Sequence, residues 1–203
     1  EVSLLSLSTT DYPDIEYLLK ALNSALEDMN ANLSLPSLRP ASFTESIAEA
    51  AKRGRKTGLT FAPEAGTERM RKFIRKDITE KQLLDAARLA YSNGWQLIKL
   101  YFMIGLPTET DEDLDGIIDL IMKVVREGRS HRGQRRINVT ISPFSPKAHT
   151  PFQWDRICSP EEIRRKQQYL RANVRAKEVT LKFREPRLSY LERSEERRVG
   201  KEC

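Results

Sequence analysis

The most constraining stretch of this chain is an apolar run that ends in a tight turn. Residues 97–104 are mostly apolar, Gly105, Leu106 and Pro107 follow, and acidic residues begin at Glu109. A glycine permits a sharp exit from a strand and leaves room for a flat ligand, and a proline fixes the path of the chain after it. This order is typical of β/α proteins, which bind ligands where their parallel strands end. A plain connection without a ligand has the same Gly-Pro pattern.

Strand and helix patterns alternate along the chain. The apolar periodicity predicts strands over 2–7, 32–35, 58–62, 97–104, 137–142 and 179–183. It predicts helices over 12–29, 44–53, 66–74, 79–91, 111–126 and 160–175, with capping-box spacing at Ser42/Glu45, Thr79/Gln82 and Ser159/Glu162. Such alternation predicts an α/β fold with a parallel sheet and right-handed crossovers. A barrel or partial barrel fits better than a doubly wound sheet, because no Gly-x-Gly-x-x-Gly follows a strand.

Composition and the two chain ends narrow the class of protein. Charged residues make up 32% of the 203 residues, and the formal net charge is +6. No apolar stretch approaches the roughly 20 residues of a membrane span. Without the last eleven residues the chain has one cysteine, Cys158, which fits a reducing cytoplasm, so we expect a cytoplasmic protein. We expect the chain to begin inside a domain, with a barrel over 1–183 and the start of a C-terminal extension over 184–192. Residues 193–203 resemble a translated sequencing adapter and are left out of the fold prediction.

The residues that follow the predicted strands form the candidate site, because strand ends converge on one face of a β/α barrel. Glu64 is suited to accept hydrogen bonds from a ribose diol, and Arg39 or Lys76 to pair with a ligand carboxylate. Glu64 is also explained without a ligand, since acids are favoured in the first turn of a helix. The other candidates are small hydroxyls and turn residues: Ser8, Thr9, Thr10, Ser37, Gly105, Pro107, Ser142 and Pro143.

Four blocks of the chain, in order, resemble the radical S-adenosylmethionine core. They are residues 1–8, 34–39, 58–69 and 100–110, and the likeness continues through 142–147 and 150–154. The closest likeness is to a group of cobalamin-binding radical S-adenosylmethionine proteins. The resemblance implies a partial (β/α)6 barrel of the TIM type, truncated at its N-terminus in this chain. It also implies S-adenosylmethionine, a [4Fe–4S] cluster and cobalamin in the whole protein.

The resemblance implies roles for particular residues. Ser8, Thr9 and Thr10 fall where relatives contact the methionine amino group, and Glu64 falls where they contact the ribose. Lys76 falls where some relatives place a cation for the methionine carboxylate. The adenine contacts fall on Ile104, Gly105 and Leu106, and on the backbone near Ser142 and Pro143.

The cluster motif of that family is missing from this sequence. The family holds its cluster with Cys-x-x-x-Cys-x-x-Cys, whereas this chain has two cysteines, Cys158 and Cys203. Because the chain opens on what resembles the second strand, we expect the motif upstream and expect this chain alone to be inactive. The whole protein is expected to form a 5′-deoxyadenosyl radical, with cobalamin-dependent methyl transfer as one outcome.

Two other functions remain open. The segment 126–136 carries Arg126, Arg129, Arg132, Arg135 and Arg136, and it suits phosphate contact by a non-catalytic RNA-related binding module. It lies opposite the predicted strand ends and has no interleaved aromatic residues, which favours a solvated loop. The third hypothesis is an ordinary barrel lyase or hydrolase with Glu64 as general base, for which no second catalytic group is identified.

Overall fold

Parallel strands alternate with helices throughout the computed structural model, which describes residues 2–4, 12–27, 29, 31, 33–34, 38–52 and 58–187. The strands are β1 (Val2–Ser3), β2 (Leu33–Ser34), β3 (Leu59–Glu64), β4 (Leu97–Ile104), β5 (Arg136–Pro143) and β6 (Val179–Phe183). The helices are α1 (Ile15–Glu27), α2 (Glu45–Lys52), α3 (Glu68–Phe73), α4 (Glu80–Ser92), α5 (Asp111–Arg129) and α6 (Pro160–Asn173), and a short 3-10 helix covers Pro40–Ser42.

Within each of two parallel sheets, neighbouring strands follow the order in which they occur in the sequence. One parallel sheet has the order β1-β2, and a second has the order β3-β4-β5-β6. The amide of Leu38 donates to the carbonyl of Thr60 at 3.3 Å, so Leu38 lies beside β3. Sequential parallel strands joined by helices are the arrangement of a β/α barrel sector. The predicted α/β partial barrel is confirmed.

The helices cover one face of the four-stranded sheet. Along β4, Ile98, Leu100, Phe102 and Ile104 are buried, and they share a core with apolar residues of α4 and α5. The residues between them, among them Lys99, point to the other face. Because the crossovers put the helices on a single side, that other face is the inner face of the partial barrel.

Two of the three predicted capping boxes are present in the structure, and β3 ends later than predicted. Capping boxes form at Thr79 and at Ser159, as predicted. The prediction for Ser42 is wrong, because α2 begins at Glu45 and the Thr44 hydroxyl accepts from the amide of Ile47 at 3.4 Å. The prediction that β3 ends at residue 62 is also wrong. The strand continues through Glu64 because an irregularity in its pairing with β4 accommodates Pro63.

None of the helices in the described ranges has the length and apolar character needed to cross a bilayer.

The first turn of α5 anchors the loop that follows β3. Asp113 is buried and accepts hydrogen bonds from Thr67 and from the amide of Thr110, and it pairs with Arg69. A Cβ on Gly66 would lie 2.2 Å from the backbone nitrogen of Ile117, so only glycine permits this approach. Burial opposes ionisation of Asp113, but the hydrogen bonds and the Arg69 charge hold its pKa below the ordinary value.

We expect Asp113→Asn to lower the free energy of unfolding by about 1–3 kcal/mol at pH 7, because an amide cannot replace a charged acceptor of several hydrogen bonds. A carboxyl whose folded pKa is lowered stabilises the fold above its unfolded pKa of about 3.9, and this stabilisation is lost as pH falls through the folded pKa. Urea unfolding should therefore show a difference that is largest above pH 5 and shrinks below about pH 4. Glu112→Gln, on the exposed side of the same turn, is the matched control. A difference independent of pH would show that the charge of Asp113 does not stabilise this turn.

Candidate functional site

The carboxyl ends of β3, β4 and β5 lie side by side and gather several predicted site residues. Ile104 and Pro143 are register partners, and the amide of Phe144 donates to the carbonyl of Ile104 at 2.8 Å. Glu64 is the last residue of β3. A small apolar cluster lies at this edge, formed by Ala65, Met70, Leu106 and Phe144.

A charged pair lies next to that apolar edge. Lys76 Nζ and Glu64 Oε1 are 3.4 Å apart, and their side chains are 33% and 26% exposed. Glu64 has φ of +68°, a backbone conformation that a residue with a side chain rarely adopts. Burial raises the pKa of Glu64, and the neighbouring Lys76 opposes that rise. The pair places a carboxylate acceptor and an ammonium donor together within reach of solvent.

A buried arginine holds the loop that carries this pair. Arg71 is 2% exposed. Its guanidinium donates to the carbonyls of Ala65 and Gly66 at 3.0 and 2.8 Å and to the carbonyl of Ile78 at 2.8 Å. Its own carbonyl accepts from the amide of Lys76 at 2.8 Å. The Arg71 side chain therefore holds the loop that positions Glu64 and Lys76, although it forms no hydrogen bond with either of these two side chains.

The Gly-Leu-Pro turn after β4 is held by a second buried charge. The amide of Gly105 donates to both carboxylate oxygens of Glu109, at 3.0 and 3.1 Å. Glu109 pairs with Lys166 of α6 at 2.6 Å, and the two side chains are 3% and 9% exposed. Cys158 Sγ donates to the carbonyl of Gly105 at 3.7 Å. Both polar backbone groups of Gly105 are thus engaged within the protein.

The remaining predicted site residues lie in different settings. Arg39 is exposed, just before the 3-10 helix, and Pro107 is half-buried in the turn after β4. Ser142 is half-buried on the inner face, next to Met103 in register, and Pro143 is buried. The predictions for Ser8, Thr9, Thr10 and Ser37 lie outside the described residues.

The inner face of the sheet carries polar residues that the sequence predictions do not include. Two rows of register partners cross it: Thr60, Lys99, Asn138 and Thr180, then Tyr101, Thr140 and Lys182. In the part of the chain that the structure describes, neither Lys99 nor Lys182 has an ion-pair partner. The alternation along β5 is the signal for this face, since strands covered on both sides are apolar almost throughout.

The basic segment 126–136 is partly neutralised. Arg129 forms a two-bond pair with Glu178, at 2.9 and 3.1 Å. Arg126 lies 3.7 Å from Asp119. The segment adjoins the start of β5, so it lies at the opposite end of the sheet from Glu64.

The described residues do not fit an iron–sulfur cluster. Cluster ligation needs several thiolates close together, and Cys158 is the only cysteine in the described ranges. Nor does any group of three or more His, Cys, Asp or Glu side chains within those ranges come together as a metal site.

Comparison with known proteins identifies the family. The family model described as the Radical SAM superfamily matches residues 1–121, which is more than half of the chain. The chain belongs to the radical SAM superfamily. The family assignment confirms the resemblance found in the sequence, and it leaves the cobalamin-binding group as a prediction.

The similar curated proteins are much longer than this chain. An uncharacterized protein of Methanocaldococcus jannaschii is 40% identical over 153 residues, which are 75% of this chain and 32% of that protein. An uncharacterized methyltransferase of Pyrococcus horikoshii is 34% identical over 88 residues, which are 43% of this chain and 19% of that protein. The chain thus spans a third or less of the length of these relatives.

A solved structure has the same fold. Coproporphyrinogen III oxidase (HemN) of Escherichia coli, described as a radical SAM enzyme, aligns with a TM-score of 0.57 at 14% identity. The alignment covers 79% of this chain and 37% of that one. At this identity the likeness concerns the fold, and it agrees with the partial barrel formed by β3 to β6.

We expect Gly105→Ala to lower the free energy of unfolding by about 2–4 kcal/mol. Gly105 has φ of +78°, and an added Cβ would lie 2.7 Å from Ile163 Cδ1 and 3.2 Å from Cys158 Sγ. Backbone strain and overpacking therefore add. Gly133→Ala is the matched control, because Gly133 has φ of +95° but only Arg135 Nη1 near the added Cβ, at 3.5 Å. Urea unfolding should show a loss of about 1 kcal/mol for the control. Equal losses in the two variants would refute the role of packing at Gly105.

Proposed function

We propose that this chain forms much of the cofactor-binding barrel of a radical S-adenosylmethionine enzyme. The observation that carries the proposal is the Glu64–Lys76 pair, which lies beside an apolar strand-end edge in a chain of this superfamily. A binding site of this composition suits a ligand that has an apolar ring at one end and charged groups at the other.

The carboxylate and the ammonium group at the strand ends match the polar groups of S-adenosylmethionine. The Glu64 carboxylate would accept hydrogen bonds from the ribose hydroxyls, and Lys76 would pair with the methionine carboxylate. Adenine would lie flat against the main chain of Ile104, Gly105 and Leu106, because the Ile104 side chain is buried under the helices and the amide and carbonyl of Gly105 are already hydrogen-bonded. Ser142 and Pro143 would lie beside the adenine. The other predicted contacts to S-adenosylmethionine stay predictions: Ser8, Thr9, Thr10, Ser37, Arg39 and Pro107.

The iron–sulfur cluster would be held by residues of the whole protein outside this chain. The described residues include one cysteine, and the relatives are at least three times as long as the matched region. A cluster bound there would supply the electron needed for reductive cleavage of the nucleotide. This chain would bind and orient the nucleotide and exclude water from it.

We propose the inner face as the surface that binds the substrate. Lys99 and Asn138 are register partners, and Tyr101 and Lys182 follow in the next row toward the strand ends. Two lysines without carboxylate partners in the described residues favour a substrate that carries a carboxylate or a phosphate.

Methyl transfer is the reaction we propose for the whole protein. Its support is the methyltransferase name of the Pyrococcus horikoshii relative, together with the likeness to cobalamin-binding members of the superfamily. In this proposal cobalamin is bound by a part of the whole protein outside this chain.

We expect Glu64→Gln to weaken S-adenosylmethionine binding about tenfold or more, because hydrogen bonds to a charged acceptor contribute about 1.5–3 kcal/mol. The measurement is equilibrium dialysis with the whole protein, reconstituted anaerobically with iron and sulfide. Glu68→Gln, an exposed residue at the start of α3, is the matched control and should bind as the wild type does. Unchanged binding in Glu64→Gln would remove the proposed site. Absence of 5′-deoxyadenosine from the reduced wild-type protein would instead remove the proposed reaction.

We expect Lys99→Met to raise the free energy of unfolding by about 0.5–1 kcal/mol. A residue kept for ligand binding is often unfavourable for stability, and Lys99 is a partly covered charge without an ion-pair partner in the described residues. Lys72→Met, on the exposed side of α3, should change stability by less than about 0.5 kcal/mol. Thermal unfolding of the chain is the measurement, and a clear loss of stability in Lys99→Met would show that the lysine has a structural role.

A further inference from the structure

A cavity of about 500 Å³ opens at the end of the sheet where the strands begin. Its walls come from the ends of α4 and α5, the loop 130–135, and the starts of β5 and β6. Arg136 and Pro143 begin and end β5, so the cavity is separated from the proposed cofactor site by roughly 23 Å of strand. A ligand bound in this cavity would be independent of the proposed function.

Tyr91 lines the cavity, and its buried hydroxyl has no hydrogen-bond partner within the described part of the chain. Tyr91 is 1% exposed, and its Oη forms no hydrogen bond with the described residues. The Tyr91 ring packs against Gly128 of α5, which has no side chain to collide with it, and the Arg135 guanidinium lies 5.7 Å from the ring centre. These contacts hold the ring in place. Burial raises the pKa of Tyr91, although Arg135 opposes this, so the phenol stays protonated and is a donor. A buried donor without an acceptor is costly.

Basic residues outnumber carboxylates in the lining of this cavity. Four basic residues and one carboxylate line the cavity, and the carboxylate, Glu178, is already paired with Arg129. Arg135, Arg136 and Lys177 have no ion-pair partner among the described residues, and Arg135 Nε is buried without an acceptor. His131 lines the cavity but is not a proposed ligand contact, because its two ring nitrogens are already hydrogen-bonded to Ser92 Oγ and to the Glu127 carbonyl.

We propose that this cavity binds a phosphate-bearing small molecule, with Tyr91 Oη, Arg135, Arg136 and Lys177 as its contacts. Phosphate oxygens are acceptors only and match several convergent donors and cations. A nucleic-acid strand fits the observations less well, because the orphaned donors lie inside a recess and the loop presents no aromatic ring for base stacking.

The test is isothermal titration calorimetry of the full chain with inorganic pyrophosphate, with inorganic phosphate and a ten-nucleotide single-stranded RNA in parallel. We expect one pyrophosphate site. Tyr91→Phe should weaken binding about fivefold, and the double variant Arg136→Gln, Lys177→Gln should weaken it at least tenfold. Tyr91→Phe should unfold at the same temperature as the wild type or higher when no ligand is present, because the hydroxyl it removes is unpaired. A lower unfolding temperature would show that the hydroxyl is bonded within the protein and would count against the site.

Arg132→Gln is the matched control, since Arg132 is exposed in the same loop but does not line the cavity. It should change pyrophosphate affinity less than twofold. An equal loss in Arg132→Gln would mean general attraction to a basic surface and would overturn the proposal. So would binding of RNA alone, or no pyrophosphate binding at millimolar concentration. Phosphate binding with the same variant pattern would support it and would indicate a single phosphate group as the minimum ligand.

Discussion

One-sided burial of a parallel sheet is the constraint on which the rest of this structure depends. Each of Ile98, Leu100, Phe102 and Ile104 is at most 1% exposed beneath the helices. Burying such a side chain fully contributes about 1.5–3 kcal/mol. A one-residue shift of β4 would move this whole set to the inner face and place Lys99 in the core. The register that puts polar residues on the inner face is therefore specified by the apolar residues on the other side.

Buried charges then fix the loops at the strand ends. Arg71 spans the loop after β3, and the Glu109–Lys166 pair joins the turn after β4 to α6. Removing one partner of a buried pair costs about 3–5 kcal/mol, while an apolar replacement of the whole pair is often tolerated. Such pairs are weak stabilisers but hold a defined geometry. At a binding edge this is useful, because ligand groups must be held to within a fraction of an ångström.

Sequence patterns predict the repeating units well and the cross-chain contacts poorly. The periods of the strands and the caps at Thr79 and Ser159 are local, so a single segment carries the information. The Lys166–Glu109 contact joins residues 57 apart, and no local pattern signals it. The sequence predicts Glu64 beyond β3 because proline is rare inside strands, and the irregular pairing of β3 with β4 is not visible in the sequence.

The inner face escapes prediction for a different reason. The general rule for β/α folds places ligands at the residues after the strands, and this rule does not distinguish a closed, filled barrel from a partial one. The alternation of Asn138, Thr140 and Ser142 with buried neighbours is present in the sequence. It indicates a polar face once the sheet is known to be covered on one side only.

The two ends of the sheet differ in charge for reasons that helix dipoles explain only in part. Helix C-termini gather where strands begin, and cations there complement the partial negative charge of the last turn. This accounts for Arg126 and Arg129, which lie in the last turn of α5 and pair with Asp119 and Glu178. It does not account for Arg136, which lies in β5, or for Lys177, which lies four residues beyond the end of α6. The dipole effect falls off within one turn, so it does not explain these two exposed cations. Both line the cavity that also contains Tyr91, where the proposed phosphate would bind.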